Sequence, residues 1–209
     1  MLKVKICGIT NLKDALLAEQ VGADLLGFVF YAKSSRYVSP SVAGKIISQL
    51  SPLTRKVGVF VNEPASKVLQ IARNLKLDFV QLAGEEDLAY VRKVQLNVPV
   101  IKAFRVGPDF RSAVLKNSSA RLCLLDAKVD GFYGGSGRSF DWKKIYNLRG
   151  DVRLMLAGGI SSENVEKACQ TLQPAAVDLT SSVEAHPGKK DPAKLKKFFE
   201  VVNAIRQGR

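Results

Sequence analysis

Eight short runs of β-branched or apolar residues recur along the chain with helix-like stretches between them, and no two stand back to back as a hairpin. They are Val4 to Ile9, Leu25 to Phe30, Lys56 to Val61, Asp78 to Leu82, Val100 to Phe104, Leu122 to Asp126, Arg153 to Leu156 and Ala176 to Leu179. Strands separated by helices cannot pair as hairpins, so this order implies a parallel sheet covered by its own helices. The runs begin about 21 to 31 residues apart, near the roughly 25 available when about 200 residues are shared among eight minimal strand–helix units. No Gly-x-Gly-x-x-Gly follows the first run, which removes the fingerprint of an open dinucleotide-binding sheet. A closed (β/α)8 barrel, the TIM-barrel form of the α/β class, is therefore expected. A chain of 209 residues with 46% hydrophobic content and no linker or low-complexity tract makes residues 1–209 one catalytic-sized domain.

Helix starts carry their own signals. Ser39-Pro40, Glu63-Pro64 and Asp191-Pro192 place proline in a first turn after a polar residue, and Ser161-Ser162-Glu163 offers capping oxygens. Ala15, Leu16, Ala18 and Val21 follow the helical period.

In a barrel of this kind the chemistry lies at the carboxyl ends of the strands. Those positions are chemically loaded: Cys7-Gly8 on the first strand, Gln81 on the fourth, Asp126 on the sixth, Gly158-Gly159 after the seventh, and Asp178 with Ser181-Ser182 on and after the eighth. Period-two alternation puts Lys3, Lys5 and Cys7 on one face and Val4 and Ile6 on the other, which packs on helices; Cys7 then points inward. A buried cysteine acting as a small hydrophobe is the bland alternative, but a residue followed by glycine at a barrel mouth is not deep core. Asp126 ends an apolar strand, so its carboxyl faces something polar; in a partly desolvated pocket its pKa rises and it can serve as an acid. A helix cap or loop ion pair is its plainer role. Gly158-Gly159 and Ser181-Ser182 occupy the two loops that commonly bind phosphate in this fold through backbone N–H groups and hydroxyls, with ordinary turns as the alternative.

Gly131-Phe132-Tyr133-Gly134-Gly135-Ser136-Gly137 follows Asp126 and suits either a mobile cover or a plain connector. Arg36, after the second strand, has the forked donors to grip a planar carboxylate, or is simply solvated.

Composition narrows the chemistry. The three cysteines, Cys7, Cys123 and Cys169, lie far apart, which fits a reduced, cytoplasmic compartment and gives neither a disulfide framework nor a CxxC metal site. The single histidine, His186, excludes a His-rich metal site. No run approaches the roughly 18 apolar residues of a membrane span, and the chain opens on a strand rather than a leader. The net charge of +13 is dispersed over helix-like segments, at Lys13, Lys45, Lys67, Arg92, Lys143 and Lys167, as on solvated outer faces. Such a field favours small anionic substrates over a nucleic-acid partner.

These residues together resemble the phosphoribosylanthranilate isomerases of tryptophan biosynthesis. Lys5-Ile6-Cys7-Gly8-Ile9-Thr10 looks like that family's opening signature, and Gly27-Phe28-Val29-Phe30 through Ser34-Ser35-Arg36-Tyr37-Val38 looks like its second block. Val57 to Asn62, Leu124-Leu125-Asp126, Gly134 to Gly137 with Phe140-Asp141-Trp142, Leu156 to Ile160 and Pro187-Gly188-Lys189-Lys190-Asp191 continue the match in order from end to end.

The resemblance implies an Amadori rearrangement of N-(5'-phosphoribosyl)anthranilate without metal or cofactor, with Cys7 as base, Asp126 as acid and Arg36 near the anthranilate carboxylate. A free thiol has a pKa of roughly 8.5. Inward-facing Lys5 either lowers that of Cys7 or pairs with Asp178 on the adjoining last strand. Two departures stand out: Ala83-Gly84 where the family usually has His-Gly, and Ser182 where it commonly has glycine. The nearest rival, the sugar-phosphate isomerase of histidine biosynthesis, is expected to carry aspartate in place of Cys7. A rival of another class is a silent barrel that binds phosphorylated ligands or nucleic acid. The expected partner is a small anionic phosphorylated substrate, with no nucleic acid or membrane, and the protein is a monomer or a homodimer.

Overall fold

Alternate residues of each strand meet different apolar surroundings, and this decides the layering. In a computed structural model that describes residues 1–116, 118–127, 142, 145 and 152–208, the strands are β1 (Lys3–Cys7), β2 (Leu25–Val29), β3 (Arg55–Phe60), β4 (Phe79–Leu82), β5 (Val100–Val106), β6 (Leu122–Ala127), β7 (Leu154–Leu156) and β8 (Ala176–Leu179). They form a closed parallel barrel in sequence order, sealed where Lys5 of β1 stands beside Leu25 of β2 and Asp178 of β8. Val4, Ile6, Leu26, Val80, Leu125 and Val177 face outward and pack with the helices in one core. Leu25, Val57, Ile101, Leu124, Met155 and Ala176 fill the barrel interior. Above them, toward the carboxyl ends, lies a smaller layer of Cys7, Val29, Val59, Val61 and Ala83.

The helices are α1 (Leu12–Gln20), α2 (Pro40–Ile47), α3 (Ala65–Asn74), α4 (Leu88–Gln95), α5 (Ala113–Lys116), α6 (Val165–Leu172) and α7 (Pro192–Arg206). Ser39 and Asp191 cap α2 and α7 as their Pro-bearing first turns require, Ser39 accepting from Val42 N and Asp191 from Ala193 N. The Glu63-Pro64 signal places α3 correctly, but Pro64 is itself the cap residue and no side chain caps the helix. Ser161-Ser162-Glu163 forms the turn before α6, which begins only at Val165.

One expectation is corrected and one element is added. The first strand stops at Cys7 instead of Ile9, because Gly8 takes a left-handed φ of 76° and the chain turns while Gly8 N and Ile9 N both donate to Gly27 O. The chain also contains a hairpin: after a single 3-10 turn (Ser181–Val183), β9 (Glu184–His186) and β10 (Lys189–Lys190) pair antiparallel outside the barrel. Both strands are short and polar and so carry no apolar period. Lys13, Lys45, Lys67, Arg92 and Lys167 are exposed, as dispersed surface charge should be; Lys143 lies outside the described residues. Among the described residues no helix is long and apolar enough to cross a membrane.

Candidate active site

The carboxyl ends of the strands open into one pocket of about 890 Å3, counting space open to solvent. All nine residues singled out in the sequence line it: Cys7, Arg36, Gln81, Asp126, Gly158, Gly159, Asp178, Ser181 and Ser182. Cys7 and Asp126 are both buried, on β1 and β6, and the strand order puts β7 and β8 between them on the short way round. The two groups therefore address a ligand from well-separated sides of the mouth.

Cys7 sits against Gly27 on β2, where a Cβ atom would lie 2.8 Å from the Cys7 Sγ and 3.1 Å from the Lys5 Cε. Glycine is what lets sulfur and lysine share this wall. Lys5 is fully buried and its Nζ donates to Asp178 Oδ1 at 2.9 Å, so of the two roles open to it the pairing with Asp178 is realised. Burial works to lower the Lys5 pKa, but the Asp178 carboxylate and then Cys7 outweigh it, and the ammonium is held above its ordinary value of 10.5. A positive charge is thus kept beneath the sulfur. Asp126 Oδ1 accepts from Ala127 N at 2.8 Å. Gln81 is buried, and its Oε1 has no partner among the described residues, an acceptor held at the pocket wall without a donor.

Gly158 and Gly159 both take left-handed φ angles, 75° and 68°, which turn the chain sharply over the end of β7. Asn164 braces this loop: its Nδ2 donates to Gly159 O at 2.8 Å and its Oδ1 accepts from Ser161 N. Ser181 and Ser182 face it from the 3-10 turn after β8, so backbone and hydroxyl groups from the two loops converge on one side of the mouth. Ala83 is buried beside Val61, and Gly84 has no room for a side chain because Asn62 Oδ1 stands where its Cβ would be. The glycine-rich loop Gly131 to Gly137 and Phe140-Asp141 lie outside the described residues.

Sequence reasoning missed the polar layer under this pocket. Arg36 directs its Nε and Nη2 at the Glu184 carboxylate, at 3.0 and 2.8 Å. Burial opposes the charge on Glu184, but the Arg36 hydrogen bonds and Lys190 hold its carboxyl below its ordinary value of 4.5. Buried Lys190 donates to Glu184 Oε1 at 3.0 Å and to Cys7 O at 2.6 Å. Lys102, also buried, donates to Gly84 O and Glu86 Oε2, both at 2.7 Å, and so ties down the loop after β4. Glu184 and Lys190 are charged residues in a segment that reads as polar surface, marked only by the Pro187 to Asp191 block, and Lys102 is hidden as the one charge inside the apolar run Val100 to Phe104.

A family model described as N-(5'phosphoribosyl)anthranilate (PRA) isomerase matches residues 4–201. The chain belongs to that family. A curated relative, N-(5'-phosphoribosyl)anthranilate isomerase of Thermotoga maritima, is 47% identical over 201 residues, covering 96% of this chain and 98% of its own. The crystal structure of phosphoribosyl anthranilate isomerase from Thermotoga maritima matches with a TM-score of 0.91 at 44% identity, covering 98% of this chain and all of that one. A phosphoribosyl anthranilate isomerase solved in complex with reduced 1-(o-carboxyphenylamino)-1-deoxyribulose 5-phosphate matches with a TM-score of 0.88 at 43% identity, again over 98% and 100%. Fold and family agree with the expectations drawn from the eight-run alternation and from the ordered motif blocks.

Proposed function

We propose that this chain, as one catalytic domain over residues 1–209, rearranges N-(5'-phosphoribosyl)anthranilate to 1-(2-carboxyphenylamino)-1-deoxyribulose 5-phosphate in tryptophan biosynthesis, with Cys7 as general base and Asp126 as general acid. The observation that carries the assignment is that these two buried groups open into the same pocket from separate strands. Asp126 gives its proton to the ribose ring oxygen as the C1'–O bond breaks, and the ring opens to an iminium. The iminium acidifies the C2' proton, which the Cys7 thiolate takes. The resulting enolamine becomes the ketone by gaining a proton at C1' and losing one from the C2' hydroxyl, so the sequence is a balanced isomerisation. Each assisted proton transfer contributes on the order of 10² to 10⁴ in rate.

The remaining wall residues fit the parts of the substrate. Gly158, Gly159, Ser181 and Ser182 suit the 5-phosphate, since positive-φ glycines and hydroxyls leave donors free to converge on an anion. Arg36 suits the arylcarboxylate, and the unpartnered Gln81 Oε1 suits a sugar hydroxyl of the opened chain. Asp178, fixed by Lys5, lies in the same wall. The reaction needs no cofactor. The reading has the protein acting in the cytoplasm on a small anionic substrate, drawn in by the net charge of +13, without a nucleic-acid or membrane partner, as a monomer or a homodimer.

The test is whether the purified protein consumes fluorescent phosphoribosylanthranilate. Cys7→Ala and Asp126→Asn should still bind the reduced product analogue while kcat falls by about 10² or more. Near-normal turnover in either variant, at matched circular dichroism, would show that the proton transfers belong to other groups.

A further inference from the structure

The peptide that joins Cys7 to Gly8 lies on a buried charged network that the proton transfers leave unexplained. On its carbonyl side, Lys190 Nζ donates to Cys7 O at 2.6 Å. On its other side, a Cβ at Gly8 would lie 2.7 Å from the Arg36 Cδ, so the stem of Arg36 rests on this glycine. Glu184 joins the two cations, accepting from Arg36 Nε and Nη2 and from Lys190 Nζ. It also accepts from Gly188 N at 3.2 Å, which fixes it to the β9–β10 hairpin. Among the described residues the Arg36 Nη1 group donates to no protein atom, and Arg36 lines the pocket.

The carboxylate is buried at 5% exposure between two cations. A long arginine side chain free in a wide mouth would visit many rotamers, and ordering it at binding costs affinity. A guanidinium already gripped along one edge has lost that freedom beforehand. Its other edge then faces the pocket in a fixed orientation, and the forked geometry that recognises a planar carboxylate is conserved only if that orientation holds.

We propose that Glu184 is a positioning residue for Arg36: it fixes the guanidinium so that its pocket-facing edge selects the substrate's arylcarboxylate, and Lys190 ties that orientation to the strand end carrying Cys7. The proposal rests on the reading of Arg36 as the carboxylate reader. It also gives the polar hairpin a task, since β9 and β10 deliver both Glu184 and Lys190. A purely structural ion pair would affect all ligands alike, whereas a positioning residue acts only on ligands that carry the carboxylate.

The experiment measures binding of two ligands by calorimetry: reduced 1-(o-carboxyphenylamino)-1-deoxyribulose 5-phosphate and its phenylamino counterpart without the carboxylate. Glu184→Gln should shrink the preference for the carboxylate form by about tenfold, and leave affinity for the other ligand within about twofold. Turnover should show the loss mainly in KM. Arg36→Lys should remove the same preference, and the double variant should add little to either single one. An intact preference in Arg36→Lys means that the carboxylate is read elsewhere and the parent assignment fails. A preference lost in Arg36→Lys but kept or increased in Glu184→Gln overturns the positioning role alone. Should Glu184→Gln not fold, Glu184→Asp keeps the charge and withdraws it by one methylene. It should lose the preference in the same direction, and full preference there overturns the proposal equally.

Discussion

Gly27 is held to hydrogen by its neighbours, since the Cys7 sulfur and the Lys5 stem occupy the space a methyl group would take. Gly27→Ala must therefore push Cys7 off its place or force β1 and β2 apart. Overpacking of this kind costs about 1 to 3 kcal/mol and, with the proposed base displaced, turnover should drop by about tenfold or more. A thermal melt and a steady-state assay check both, and wild-type values in each would mean that the wall is softer than its contacts imply. Alternation alone turns Cys7 inward in the sequence, because period two belongs to any strand. Gly27 is silent there, since an alanine would continue the apolar run just as well; only the contacts with Cys7 and Lys5 make it obligatory. Glu184 and Lys190 are hidden for the opposite reason. Charged residues in a polar stretch read as solvated, and their burial depends on a hairpin folding back over β1, where Lys190 meets Cys7 O 183 residues away in sequence.

At the scale of elements, strand positions are legible because buried parallel strands are apolar on both faces and bounded by polar turns. Their ends are less so: Ile9 is apolar and fully buried, yet belongs to the loop after Gly8, and its burial is in the helix-side core. The loops after β7 and β8 were readable as a pair from glycines and serines alone, whereas the brace from Asn164 to Gly159 O was not, since asparagine before a helix reads simply as a cap. If that braced loop holds phosphate, Gly158→Leu should hurt phosphorylated ligands selectively. The substitution brings backbone strain at a φ of 75°, but that strain is common to every ligand. Affinity for a phosphorylated product analogue should fall by about tenfold or more, with much less loss for its dephosphorylated form. Calorimetry with the two ligands decides it, and equal losses would remove phosphate from this loop.

Over the whole molecule, the first and last units of the barrel are joined by charge as well as by the β1–β8 ladder. Asp14 of α1 accepts from Lys189 Nζ at 2.6 Å and Lys190 N at 2.7 Å, and Lys5 pairs with Asp178 across the seam. Burial raises the Asp14 pKa, but the bonds from Lys189 and Lys190 outweigh it, and its carboxyl lies below the ordinary 3.8. Glu184 likewise lies below 4.5. A carboxyl whose folded pKa is depressed contributes stability that is present above its unfolded pKa and is lost as pH falls through the folded one. Glu184 and Asp14 should therefore withdraw stability in acid, beginning near pH 4.5 as Glu184 would protonate in the unfolded chain and continuing below 3.8 with Asp14, whereas Asp178, whose carboxyl burial raises despite Lys5, works the other way. Lys5 governs the opposite limb: its folded pKa is raised, so its contribution is whole below 10.5 and fades only as pH rises through the higher folded value. Thermal unfolding midpoints followed by circular dichroism from about pH 6 to about pH 3 should fall along the acid limb. Glu184→Gln cannot titrate there, so its midpoint should start lower at pH 6 and decline less steeply. Parallel declines in the two proteins would show that the acid sensitivity of the seam does not pass through Glu184.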